Sequence, residues 1–227
     1  MDIQHFALSR IEFISGFHKK TVEPFDETIR LIEEGKEPYE PGYSEDDEPQ
    51  FLSEWIDASQ SIDILGIQCA SLLSSTLKLF FEESLNNVFR RNRGSITKNI
   101  KREDGYKTSF KKGWLNGYRK LFETEFGLDW ASSAVNLDLI EELILVRNRG
   151  QHPEDIVFMS NRFTESDLNK IKSPFFIDET YDNPDFYDFL KPTIKPTPEK
   201  IRVAISEIIK MINWLEGELN HWGQKNA

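Results

Sequence analysis

The residues best placed to do chemistry lie in one short run, Leu143-Ile144-Leu145-Val146-Arg147-Asn148-Arg149-Gly150-Gln151-His152-Pro153. An apolar helical stretch ends in Arg147-Asn148, and His152 follows after four intervening residues. A guanidinium suits a phosphate, which it grips through paired hydrogen bonds. An imidazole is the natural proton-transfer group near neutral pH. A helix C-terminus favours a nearby cation and so supports both charges. The pattern predicts a helix from the N-cap Asn136 through Arg149, stopped by Gly150 and Pro153, with His152 in the turn beyond. An ordinary helix end accounts for part of this. Arg91-Asn92-Arg93-Gly94 repeats the same four residues at the end of another helix, with no histidine after them. Arg-Asn-Arg-Gly alone can therefore be just a cap. His152, and the apolar helix running directly into the motif, set the second copy apart.

Other catalytic templates are absent. There is no GxxxxGK[ST] phosphate loop, no HExxH and no GxSxG. The four histidines are His5, His18, His152 and His221, and no two are spaced to share a metal. Outside the motif, each reads as a surface or half-buried side chain. A single cysteine, Cys69, excludes an internal disulfide and a Cys-based zinc site. No metal or cofactor is expected.

The charge is unevenly spread. The 227 residues carry a formal net charge of −11, which argues against a general DNA coat or a membrane-surface binder. From Glu23 to Glu54 the balance is −10, including four consecutive carboxylates at 45–48 that read as a solvated loop. From Arg90 to Lys120 it is +9, carried by Arg90, Arg91, Arg93, Lys98, Lys101, Arg102, Lys107, Lys111, Lys112, Arg119 and Lys120. Such a block can hold an anion locally while the surrounding field discourages non-specific nucleic-acid binding. A solvated loop and helix face of the same charge is the alternative.

The elements that position these residues read as helices almost throughout. Residues 2–34 give one or two helices, with Pro24 as a break or a new start. Residues 35–50 are an acidic surface loop holding three prolines and two glycines. In 51–92 a stripe of Ile62, Leu65, Cys69, Leu72, Thr76 and Leu79 predicts one long helix ending near Arg93-Gly94. Gly66, Ala70, Ser71, Ser74 and Ser75 beside the stripe would admit a neighbouring helix. Residues 107–126 form another amphipathic stretch. Residues 153–196 are the least helical, with a short hairpin expected at 156–159 and a short helix at 164–171. Their aromatics imply packing against the protein itself or against a partner. Thr197 as N-cap and Pro198 at the first position start the last helix. The expectation is an all-α, up-and-down bundle of four to six helices, with a long irregular loop before the last. Residues 1–50 form a helical extension and acidic loop, and 51–222 form the bundle. No stretch approaches the ~18 uninterrupted apolar residues of a membrane span. Met1-Asp2-Ile3-Gln4-His5 lacks a basic region followed by an apolar run, so no secretory signal and a cytoplasmic location are expected.

The Arg-x4-His pattern, with Asn directly after the Arg, resembles the motif of HEPN domains (higher eukaryotes and prokaryotes nucleotide-binding). The layout of 52–222 is similar too: a motif at the end of the penultimate long helix, a variable loop, and a final amphipathic helix. The resemblance implies a metal-independent endoribonuclease of toxin or defence type, working as a homodimer with two motifs facing one cleft. It implies that Arg147 neutralises the scissile phosphate and that His152 acts as general acid or base for attack by the RNA 2′-hydroxyl. Asn148 would orient the substrate or the paired motifs. Arg149 and the basic residues Arg90, Arg91, Arg93, Lys98, Lys101, Arg102, Lys111 and Lys112 would hold the RNA. A cognate, antitoxin-like inhibitor is a further expected partner.

Three readings remain open from the residues: a ribonuclease, a non-catalytic helical module binding RNA or nucleotide, and a protein-interaction domain using the acidic and aromatic loops. Cleavage in EDTA selects the first. Binding without cleavage selects the second. A stable complex with a basic partner and no RNA affinity selects the third.

Overall fold

The computed structural model describes residues 2–43, 49–92, 104–152, 161–171, 173–178 and 192–225. It is an all-α helical bundle, with an irregular segment before the last helix. The described residues hold seven α-helices: α1 (Ile3–Glu33), α2 (Leu52–Asn92), α3 (Asp104–Lys111), α4 (Trp114–Phe126), α5 (Leu137–Gln151), α6 (Glu165–Leu168) and α7 (Pro198–Lys225). That exceeds the expected four to six. The stretch 107–126 is two helices divided at Gly113, whose φ of 134° lies outside the range a side chain tolerates. The short α6 adds another.

Pro24 does not interrupt α1. It removes the amide that would bond to Lys20, but Pro24 and Lys20 are both exposed, so water can satisfy the freed carbonyl. By length and composition α2 is apolar enough to cross a membrane between Leu52 and Phe89, yet 56% of its most apolar window is buried within the protein, as in a core helix. Its buried face differs from the expected stripe. Leu73 and Leu77 are fully buried while Leu72 and Leu79 are 38% and 48% exposed. Gly66, Ala70 and Ser74 also turn inward, so the small residues belong to the core face.

Contacts group the chain into two compact units, each assembled from separated segments. The first comprises Met1–Glu12, Leu73–Glu141 and Ala204–Ala227. Its centre is aromatic. Phe81 lies 5.6 Å from both Tyr118 and Phe122 and stacks on Trp130 at 6.2 Å, and Trp130 meets Trp214 at 4.8 Å. Trp130 Nε1 donates to the Arg119 carbonyl (3.0 Å), so the indole is buried without losing its hydrogen bond. Burial of each such ring contributes ~2–3 kcal/mol.

The second unit comprises Phe13–Leu72 and Glu142–Val203. Its core includes Ile14, Val22, Ile67, Leu143, Val146, Phe163, Phe176 and Ile194. Cys69 is also buried, and burial pushes its thiol up to about 12. His18 is buried rather than half-exposed, and desolvation lowers its pKa from the ordinary histidine value. The described parts of the segment before α7 pack within the second unit. Residues 192–195 hydrogen-bond along both edges: Phe163 N–H to Pro192 O and Ile194 N–H to Asn161 O on one side, Lys195 N–H to Phe176 O and Asp178 N–H to Thr193 O on the other. These antiparallel bridges never extend into a named strand among the described residues. The expected helix at 164–171 shrinks to one turn, begun by a capping box between Thr164 and Asp167. The expected hairpin at 156–159, and the carboxylates at 45–48, lie outside the described residues.

Candidate functional site

Helix α5 carries the Arg147–His152 motif. Its start is fixed as the sequence predicts: Asn136 Oδ1 accepts the Leu139 N–H at 3.1 Å. The Asn136 N–H in turn donates to the Glu207 carboxylate at 2.9 Å. Every residue from Glu142 to Val146 is buried, Arg147 to Gly150 are half-buried, and Gln151 and His152 are exposed. The motif therefore emerges where the buried stretch of α5 reaches solvent.

Gly150 does not stop α5, which continues to Gln151. A Cβ at Gly150 would collide with Ile67 Cγ2, so the glycine is there to let α5 lie against α2. Gln151 Nε2 donates to Ser71 Oγ at 3.4 Å beside it. His152 N–H still bonds to the Asn148 carbonyl at 3.0 Å, in helical fashion. Along such a backbone Arg147 and His152 stand roughly 7.5 Å apart in rise and about 140° apart around the axis. They are not stacked on one face, because the helix runs on past the expected break.

Arg147 and Asn148 are joined directly. Arg147 Nη1 donates to Asn148 Oδ1 at 2.9 Å. The amide holds the guanidinium without cancelling its charge, and no carboxylate pairs with Arg147 among the described residues. The His152 imidazole makes no hydrogen bond to either side chain.

Arg149 differs. Its Nε lies 2.8 Å from Asp167 Oδ2, and that carboxylate is only 3% exposed. Asp167 also accepts from the Thr164 amide and hydroxyl, so Arg149 fastens α6 to the motif helix. A second tie sits about two turns earlier. Glu142, 1% exposed, accepts the Phe175 amide with both oxygens (2.8 and 2.9 Å) and the Phe176 amide at 2.7 Å. Desolvation raises the Glu142 pKa above the usual carboxylate range, while the two amides and Lys200 pull it back. Sequence reasoning missed Glu142. The signal was present: it sits on the apolar stripe, three residues after Leu139 and four before Val146.

The other predicted RNA contacts divide by position. Lys111 and Lys112 are exposed at the end of α3, in the first unit, whereas the motif is in the second. The side chains of Arg90, Arg91, Arg93, Lys98, Lys101 and Arg102 lie outside the described residues. Lys120 is exposed and pairs with Glu123 at 3.5 Å, and the Arg119 guanidinium lies 5.8 Å from the Trp130 ring centre. In the second unit a groove of about 570 Å³ is lined by Phe175, Lys195 and Lys200, but its cations are spoken for. Lys195 pairs with Asp63 at 2.8 Å, and Lys200 donates to the Ile177 carbonyl. Among the described residues no three His, Cys, Asp or Glu side chains converge as metal ligands. No family model, curated protein or solved structure matches the chain.

Proposed function

We propose that the protein is a metal-independent endoribonuclease of the HEPN type, of the toxin or defence kind, acting on RNA in the cytoplasm as a homodimer. The observation that carries this reading is the contrast on α5. Arg149 is committed to a buried carboxylate, while Arg147 keeps its charge and is held by a neutral amide. That is the arrangement a phosphate ligand needs.

The chemistry follows from the groups available. Arg147 binds a non-bridging phosphate oxygen and neutralises charge that builds up as the phosphorus becomes pentacoordinate. One His152 takes the proton of the RNA 2′-hydroxyl as that oxygen attacks the adjacent phosphorus. The bond to the 5′-oxygen breaks, and a second, protonated imidazole delivers a proton to the leaving oxygen. The products are a 2′,3′-cyclic phosphate and a free 5′-hydroxyl. The nucleophile belongs to the substrate, so positioning supplies much of the rate. Two copies of the motif supply both imidazoles, which one protomer lacks. Asn148 positions Arg147.

The test is RNA cleavage in EDTA. Wild type cuts, and Arg147→Ala and His152→Ala each lose at least ~100-fold. Intact RNA with wild type, or full activity in the variants, removes the proposal. A second reading, a non-catalytic module that binds RNA or nucleotide, is favoured by one observation: the His152 imidazole makes no hydrogen bond to the Arg147 or Asn148 side chain within the protomer. Binding without cleavage, weakened by Arg147→Ala but not by His152→Ala, selects it. An antitoxin-like inhibitor belongs to the first reading and would be expected to cover Arg147.

A further inference from the structure

The turn of α5 that follows Arg147 carries a second polar group on the same side. Gln151 comes four residues later, which on a helix is roughly 6 Å along the axis and only about 40° around it. Gln151, not His152, is therefore the side chain one turn beyond Arg147 on its own face. It is exposed, yet its position is fixed. Nε2 donates to Ser71 Oγ at 3.4 Å, and the neighbouring Gly150 lies against Ile67. All of these residues belong to the second unit. The Gln151 Oε1 accepts no hydrogen bond among the described residues.

The tether to Ser71 does little for the fold. At 3.4 Å, near the limit of a hydrogen bond and open to solvent, it adds little to the contact of α5 with α2. Its effect is on direction. One amide hydrogen is turned toward α2, and the oxygen and the other hydrogen are left for something outside the protein. A carboxamide also recognises what a guanidinium does not. Arginine only donates, and it suits a phosphate in any sequence. Glutamine donates and accepts at once, which matches the donor and acceptor pattern along the edge of a nucleobase. In single-stranded RNA those edges are unpaired and open to such contacts. Leu72, next to Ser71 and 38% exposed, offers an apolar surface for the face of a base.

We propose that Gln151 is a specificity-determining residue for single-stranded RNA. Its amide hydrogen-bonds the edge of the base beside the phosphate held by Arg147, so the site prefers one kind of base at that position. The inference rests on the reading of Arg147 as a ligand of an RNA phosphate.

The test is binding, so that it does not depend on cleavage. The full chain carrying His152→Ala is titrated, by fluorescence anisotropy, against short RNAs of A, C or U alone and one of alternating A and G. Repeats place the same bases at every register, so the bound phosphate need not be located. The tightest RNA should bind at least ~10-fold better than the weakest. Adding Gln151→Met keeps the length of the side chain and removes both hydrogen-bonding groups. It should bring the four RNAs within about threefold of one another, the remainder being stacking preference. Adding Arg147→Ala instead should weaken all four alike. Equal binding of the four RNAs before Gln151 is changed overturns the proposal. So does a spread that survives Gln151→Met, or no binding at all. Cleavage by wild type in EDTA reports separately on the ribonuclease. A base preference that depends on Gln151 without cleavage leaves this inference standing and removes the catalytic reading. Cleavage with no such preference does the reverse.

Discussion

Arg147 and Arg149 sit two residues apart on one helix, and the structure gives them different work. Arg149→Ala strands the Asp167 carboxylate in a nearly closed site, with only the Thr164 groups left to hold it. The expected cost is about 1–3 kcal/mol, seen as a lowered urea midpoint. Arg147→Ala removes only a bond to an adjacent amide and should change stability by less than about 1 kcal/mol while abolishing cleavage. If Arg149→Ala proves neutral in urea and weakens only RNA binding, the Asp167 tie is not what holds it. Glu142 gives a pH-dependent test. Its folded pKa is raised, so its charged form is disfavoured in the folded state. Relative to Glu142→Gln, wild-type stability is greatest below the ordinary glutamate pKa of ~4.3, declines as pH rises through the raised folded value, and is constant above it. Urea titrations of both proteins across that window check the sign. Glu142→Leu, which leaves the two amides without an acceptor, should cost ~2–4 kcal/mol at every pH.

At the scale of elements, close approach within the second unit is set by two glycines. A side chain at Gly66 would strike the Pro196 carbonyl, and one at Gly150 would strike Ile67. Gly66→Ala meets backbone, which cannot step aside, and should destabilise by ~2–3 kcal/mol. Gly150→Ala meets a side chain, so Ile67→Ala should relieve it. A double-mutant cycle on stability should show a favourable coupling of roughly 1 kcal/mol, and additive effects would mean that α5 and α2 do not meet there. The helices, their caps at Asn136 and Thr197, and the irregular stretch before α7 were legible because apolar spacing and capping residues are local signals. The end of α5 was misread for a physical reason. Glycine after a helical run is the usual terminator, and only the long-range contact with Ile67 reveals that this one serves packing. The buried face of α2 shifted likewise, because Leu72 and Leu79 fit the period as well as Leu73 and Leu77 do. The placing of Arg147 and Asn148 near the end of α5 was legible. The commitment of Arg149 was not, since Asp167 lies eighteen residues away in an irregular segment.

At the scale of the whole molecule, the net charge of −11 averages over regions of opposite sign. If the acidic loop shields the motif from RNA, deleting residues 35–50 should raise cleavage severalfold at low salt and less at high salt, because screening already weakens the shield. Unchanged rates at both ionic strengths remove that role. The molecule also contains its own gauge of opening. Cys69 is the only cysteine in the chain, is closed off within α2, and has a thiol that burial keeps protonated at neutral pH. A thiolate reagent should therefore leave the native protein untouched and label it only during excursions that expose α2. The labelling rate then becomes a clock for those excursions, readable at concentrations far too low for calorimetry. A cysteine placed on the surface can carry a probe or a crosslinker while the native thiol stays silent.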